Sequence, residues 1–152
     1  MGTQTTSAIA PSDFSVDYSL TGTGSWVELC GYVTSVKSTG GDRKVGEAYT
    51  ACGDDPITTT GKSNRRGLDI VLVYTEADTD PYLVLWNLFK NQTKVAFRWS
   101  PKGGTADDKI YTTALGYLVN VPPPDVDASS ADPITVTINF TYSGLTCSGV
   151  AS

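Results

Sequence analysis

The 152-residue chain contains no histidine. This removes the commonest general base, the commonest metal ligand and the side chain that titrates near neutrality, and a Ser-His-Asp triad is excluded with it. Cysteine is scarce. Cys30, Cys52 and Cys147 stand far apart with no Cys-x-x-Cys pair, an odd count that reads as reduced thiols in a cytosol-made protein, the alternative being one disulfide and one thiol. No apolar run approaches the ~20 residues of a membrane-spanning helix. The opening Met1-Gly-Thr-Gln-Thr-Thr lacks the charged-then-apolar layout of a secretory signal. The matches of Asn91-Gln92-Thr93 and Asn139-Phe140-Thr141 to a glycosylation sequon therefore carry little weight. Positive charge is also short, with 11 Lys and Arg against 16 Asp and Glu and a net charge of −5. A dedicated nucleic-acid binder needs a basic stripe to displace counterions, and the balance here argues against one. It is compatible with a surface that lets a polyanion pass without sticking.

What the chain does have is glycine (15), proline (8) and 39% apolar residues, the profile of a loop-rich, strand-rich globular protein. The length suits one domain able to bury a core without staples. The clearest pattern lies at residues 134–142, Ile-Thr-Val-Thr-Ile-Asn-Phe-Thr-Tyr. Side chains on a strand alternate between faces, so one face is apolar and the other carries Thr135, Thr137, Asn139 and Thr141. That second face suits a barrel wall or tube lining, and equally an ordinary half-exposed antiparallel strand.

Residues 1–24 are rich in Ser, Thr and Gly and read as an extended arm. Val27, Leu29 and Val33 suggest one long strand over 26–37, with Gly31 as a possible bend. Residues 38–67 are polar and punctuated by Gly40-Gly41, Gly53-Asp54-Asp55-Pro56 and Asn64-Arg65-Arg66-Gly67. So long a connection is usually functional or disordered; here 45–52 and 57–60 are able to pair as a projecting hairpin. Residues 68–75 are apolar at both parities, as in a central, covered strand. Asp80 and Pro81 provide an N-cap and a first helical position. Tyr82, Leu85, Trp86 and Phe89 then mark one face of a short helix ending near Asn91. Residues 94–99 return to strand, stopped by Pro101 and Gly103-Gly104. Tyr111, Leu115, Tyr117, Val119 and Val121 alternate once more before Pro122-Pro123-Pro124, and a Gly-Ser tail follows the last strand. Six or seven strands, one helix and two arms make a mainly β protein: an antiparallel sandwich or partial barrel with one helix (about 80–91) against it. The domain expected is 25–143, flanked by arms at 1–24 and 144–152.

Few motifs carry chemistry. Residues 58–63, Thr-Thr-Thr-Gly-Lys-Ser, end like a phosphate-binding loop, but Pro56 replaces the required glycine and no helix-forming run follows. Acidic groups at Asp54-Asp55, Asp107-Asp108, Asp125/Asp127 and Glu76/Asp78/Asp80 match no calcium loop and read as solvated turn residues. No catalytic, cofactor-binding or metal-ligating residue is assigned, and the chain is not expected to be an enzyme. Arg43-Lys44 and Arg65-Arg66 bracket the long loop, whose tip carries Asp54 and Asp55. Such a loop is either self-complementary between identical subunits or simply solvated. Arg98, mid-strand between Phe97 and Trp99, either pairs with a carboxylate across an interface or faces water.

Taken in order, these pieces resemble the major tail tube proteins of long, non-contractile-tailed (siphovirus-type) bacteriophages, over roughly residues 14–145. The resemblance rests on Trp26…Gly31, the long charged loop, Asp80-Pro81 with its Leu85-Trp86-x-Leu88-Phe89 helix, Val95-Ala-Phe-Arg-Trp-Ser-Pro101, and Val121-Pro-Pro-Pro-Asp-Val-Asp-Ala128 before the final alternating strand. It implies a structural virion protein whose copies form stacked, hexameric rings, with strands joined into an inner barrel that conducts DNA into the host without binding it specifically. The expected partners are the chain itself and other tail proteins such as the tape measure, tail tip and terminator; no cofactor or membrane is implied. The expected location is the phage tail, after assembly in the host bacterial cytoplasm. Arg43, Lys44, Asp54, Asp55, Arg65 and Arg66 would then belong to an inter-ring loop. Thr135, Thr137, Asn139 and Thr141 would be the lumen-facing positions. The alternatives are an Ig-like binding or adhesin module, and the tube subunit of a related secretion or gene-transfer apparatus.

Overall fold

In the computed structural model, which describes residues 2–5, 8–10, 13–103 and 108–149, the C-terminal alternation forms the centre of the molecule. Strand β10 (Thr135–Tyr142) buries Val136, Ile138, Phe140 and Tyr142. Thr135 and Thr137 on its other face are exposed, Asn139 and Thr141 half-buried. Each fully buried apolar side chain of this size contributes roughly 1.5–3 kcal/mol, and these four fix which way the strand faces.

Before it in the chain come β1 (Ser15–Ser19), β2 (Val27–Glu28), β3 (Val33–Gly40), β4 (Arg43–Ala48), β5 (Ile57–Ser63) and β6 (Arg66–Val73). Helix α1 (Pro81–Lys90), β7 (Ala96–Ser100), β8 (Lys109–Thr113) and β9 (Tyr117–Asn120) follow, and β11 (Leu145–Gly149) comes after β10. All pairings are antiparallel. One sheet has the order β3-β6-β10-β9 and a second β11-β8-β7-β1-β2; β4 and β5 pair only with each other. The two larger sheets close on one core, where Phe97 of β7 meets Phe140 of β10 edge-on at 4.8 Å. Among the described residues the chain is thus mainly β with one α-helix, as composition and alternation suggest.

Several boundaries differ from the sequence reading. Ser15–Ser19, expected within an arm, is an inner strand between β2 and β7 that buries Val16 and Tyr18. The single strand expected over 26–37 is broken by a turn in which the amides of Tyr32 and Val33 both donate to the Leu29 carbonyl. β2 and β3 consequently lie in different sheets, and Gly31 marks the crossing. The strand expected around Tyr111–Val121 is likewise two strands in two sheets. Leu118 points inward, while Tyr117 and Val119 are about half exposed. The alternation puts Tyr117, Val119 and Val121 on one apolar face; of these only Val121 is buried, because Leu118 turns inward opposite Phe140. β6 is central, yet only Leu68, Ile70 and Leu72 are fully buried; Val71 and Val73 are half-covered. Leu145–Gly149, expected as an arm, pairs with β8. Gly104, Asp107 and the tail from residue 150 lie outside the described residues.

Helix α1 begins as expected, with Asp80 at the N-cap position and Pro81 next. Its Tyr82 and Leu85 are buried, and Tyr82 stacks with Trp86, meets Tyr74 edge-on and donates its hydroxyl to the Pro122 carbonyl at 2.9 Å. The Asp80 carboxylate does not cap the helix. It accepts instead from the Tyr32 hydroxyl and the Ala77 amide, both at 3.2 Å. Through these bonds the carboxylate ties the helix start to the β2–β3 crossing.

Phe140→Ala removes the aromatic contact between the sheets. We expect a loss of about 3–5 kcal/mol in equilibrium urea denaturation, with the far-UV spectrum of the surviving native state unchanged.

Candidate functional site

Two surfaces remain once the core is formed. The first is the outer face of the four-stranded sheet. Register places Thr135 beside Val73, Thr137 beside Val71, Asn139 beside Asp69 and Thr141 beside Gly67. On the far side of β6, Ser35, Lys37 and Thr39 continue these rows. All four polar β10 positions therefore share one face with the polar side chains of β3. The strand alone shows no charge, but its neighbours bring Lys37 and Asp69 to this face as direct cross-strand partners. Asn139 donates its side-chain amide to Asp69 at 2.6 Å, and the Thr141 hydroxyl donates to the Arg66 carbonyl at 3.3 Å. The charges on the face thus balance locally, and much of its polar surface is already tied down. Lys37 and Asp69 escaped sequence reasoning because register is a tertiary property; a lone Asp between Leu68 and Ile70 was the available signal.

The second surface is the ribbon formed by β4 and β5. It pairs Ala48 with Ile57 and Arg43 with Ser63, and every residue in both strands is exposed. The hairpin drawn from sequence at 45–52 and 57–60 is thus shifted toward its root. Positive φ at Gly40 and Gly41 bends the chain out of the sheet, where a Cβ on Gly40 would collide with the Arg65 carbonyl. The ribbon leaves Val45, Tyr49 and Ile57 64%, 69% and 56% exposed. A two-stranded ribbon with no covered face is marginal in water, and its strand edges are open to pairing.

The structure brings Arg43, Lys44, Arg65 and Arg66 together at the ribbon root, where the Asn64 amide bonds to the Asp42 carbonyl at 2.7 Å. Lys62, within the segment that ends like a phosphate loop, is on strand β5 beside them. Asp54 and Asp55 sit apart at the exposed tip. Arg98 does not await a partner from elsewhere. Its Nε donates to Asp17 on the adjacent strand at 2.7 Å, and its guanidinium lies 4.6 Å from the Trp26 ring centre. No group of three or more potential metal ligands occurs among the described residues.

No protein-family model and no curated protein matches the chain. Solved structures do share the fold. A chain of the sheath–tube complex of an extracellular contractile injection system (PVC), in its extended state, aligns with a TM-score of 0.74 at 15% identity, over 95% of this chain and 94% of that one. The SPP1 tail tube aligns with a TM-score of 0.67 at 13% identity, over 95% of this chain and 81% of that one. A chain from the C6-symmetric tail of an empty gene transfer agent particle aligns at 0.64 and 14% identity, over 95% and 100%.

Backbone amides of β4 and β5 are expected to exchange with solvent far faster than those of β6 and β10 in the monomer, and to become protected under any self-association that covers the ribbon. Hydrogen-exchange mass spectrometry at low and high protein concentration checks both halves of this statement.

Proposed function

We propose that the chain is the subunit of a tail tube: copies join side by side into rings, and rings stack into a hollow conduit for DNA. The observation that carries this reading is the four-stranded sheet, which is open at both edges, β3 and β9, and whose outer face sets the uninterrupted polar rows of β3 and β10 beside Val71, Val73, Tyr117 and Val119. Two different free edges make a heterologous contact, which closes into a ring when the rotation per copy divides a full turn. Pairing β3 of one copy with β9 of the next removes both edges and turns the outer faces into one inner wall. The fold shared with the SPP1 tail tube and with the gene transfer agent and injection-system chains supports the same reading.

Six copies per ring is the stoichiometry we propose, in keeping with the C6 symmetry of the gene transfer agent tail. The proposed setting is the tail of a virion assembled in the host cytoplasm, with tape measure, tip and terminator proteins as further partners. A long non-contractile tail is the type that the sequence resemblance favours. The same fold also occurs in contractile and gene-transfer particles, so it supports the tube subunit ahead of any one tail type. In this reading Thr135, Thr137, Asn139 and Thr141 line the bore. The ribbon, with Arg43, Lys44, Arg65 and Arg66 at its root and Asp54 and Asp55 at its tip, reaches the adjacent ring. No step is catalytic; DNA moves past a wall whose Lys37 and Asp69 are equal and opposite in charge and adjacent across the strands.

Negative-stain electron microscopy across a concentration series tests the reading. Rings or tubes of uniform bore are expected, and a persistent monomer that binds glycans would replace the tube by an adhesin module. Replacing residues 45–65 by a short turn is expected to leave a folded monomer that no longer forms tubes. In tailed particles Thr137→Lys should permit assembly and slow DNA exit, measured by the kinetics of ejection; unchanged kinetics would place Thr137 outside the bore.

A further inference from the structure

The charges of this chain are segregated along the strand axis. Five of its 11 cationic side chains, Arg43, Lys44, Lys62, Arg65 and Arg66, gather at the root of the ribbon beside Asp42, while Glu47, Asp54 and Asp55 lie farther out along the ribbon toward its tip. None of the five is held in an ion pair among the described residues; the pair found there is Arg98–Asp17, on the other sheet.

The opposite end of the four-stranded sheet has the reverse character. β6 leaves it at Val73, and β10 enters at the paired Thr135, where the Tyr74 amide bonds to the Ile134 carbonyl at 2.8 Å. Two of the connections at this end, residues 74–80 and 121–134, contain six of the 16 carboxylates and no Lys or Arg. Glu76, Asp78, Asp125, Asp127 and Asp132 are exposed. Two hydrogen bonds from Ser129, hydroxyl and amide, hold the Asp127 carboxyl below the usual carboxylate range. The root and these carboxylates are separated by the length of β6, roughly 23 Å at about 3.3 Å per residue.

We infer that these two ends are the halves of one contact: the basic root of one copy seats against the carboxylate end of the next, along the strand direction. The inference rests on reading the chain as a self-assembling subunit, and it names the surface that the ribbon root meets. Like charges face each other if a copy docks in reverse, so the arrangement selects head-to-tail stacking and one polarity. The contact is heterologous and open-ended, as growth along an axis requires. In an acidic protein the root would otherwise be a site for polyanions. A second copy satisfies it with the chain's own excess of carboxylate, and the ribbon gains cover for Val45, Tyr49 and Ile57 at the same time.

The test uses the full chain and three charge variants: Arg43→Glu with Lys44→Glu and Arg65→Glu; Glu76→Lys with Asp125→Lys and Asp132→Lys; and both sets combined. All six positions are exposed, and circular dichroism verifies folding. By sedimentation at low salt, each single set should raise the concentration needed for assembly by at least about tenfold, the equivalent of ~1.4 kcal/mol. The combined variant, with both ends reversed, should recover assembly, and wild-type assembly should weaken as salt is added. Variants that assemble like wild type would overturn the inference and leave the tube reading standing. End-to-end stacks without a bore, abolished by either set and restored by both, would uphold the inference and defeat the tube reading. A wild type that stays monomeric at low salt and high concentration overturns the inference. So does retention of duplex DNA by the root, lost on its reversal while assembly persists, since that assigns the root to nucleic acid.

Discussion

The edge-on contact between Phe97 and Phe140 is the constraint on which the rest of the molecule depends. Each ring belongs to a different sheet, and each is essentially inaccessible to solvent. Holding them together sets the spacing of the layers and commits β10 to one facing. Once Phe140 points inward, Thr135, Thr137, Asn139 and Thr141 must point outward, because a one-residue slip would expose the entire apolar set. The polar outer face is therefore a consequence of core formation and needs no separate device.

Around that contact the chain repeatedly changes sheets. β2 to β3 and β8 to β9 are short passages from one layer to the other, and each looks like continuous strand in the sequence. The crossings bind the layers covalently at several places, and the Tyr32–Asp80 hydrogen bond ties one crossing to the helix start. That bond, with the nearby Asp80 charge, raises the Tyr32 phenol above its ordinary range. The contribution is present below the normal tyrosine pKa and is lost as pH rises through the raised one.

What the fold leaves unsatisfied is as informative as what it buries. The four-stranded sheet has two unlike free edges, and the ribbon has neither a covered face nor a covered edge. The one ion pair among the described residues is internal to the five-stranded sheet, so the charges at the two ends of the other sheet stay available. Natural proteins usually blunt such features with proline, charge or a covering segment. Here they stay open, and the proposed self-assembly would cover them with copies of the same chain.

Alternation and turn chemistry were enough to identify a mainly β chain, the helix after Asp80-Pro81, the bend at Gly40-Gly41 and the two faces of β10. These depend on neighbours within a few residues, and local sterics and side-chain periodicity act at that range. The basic root was visible in part, since Arg43-Lys44 and Arg65-Arg66 flank the loop, but Lys62 looked like part of a failed phosphate motif. Other features came only with the folded chain. Lys37 meets Asp69 through strand register, Arg98 finds Asp17 across a strand hidden in an apparent arm, and Leu118 turns inward because Phe140 is opposite it. In each case the partner lies more than 20 residues away. Local pattern carries no information about which distant strand will arrive alongside; closure of the shared core decides that.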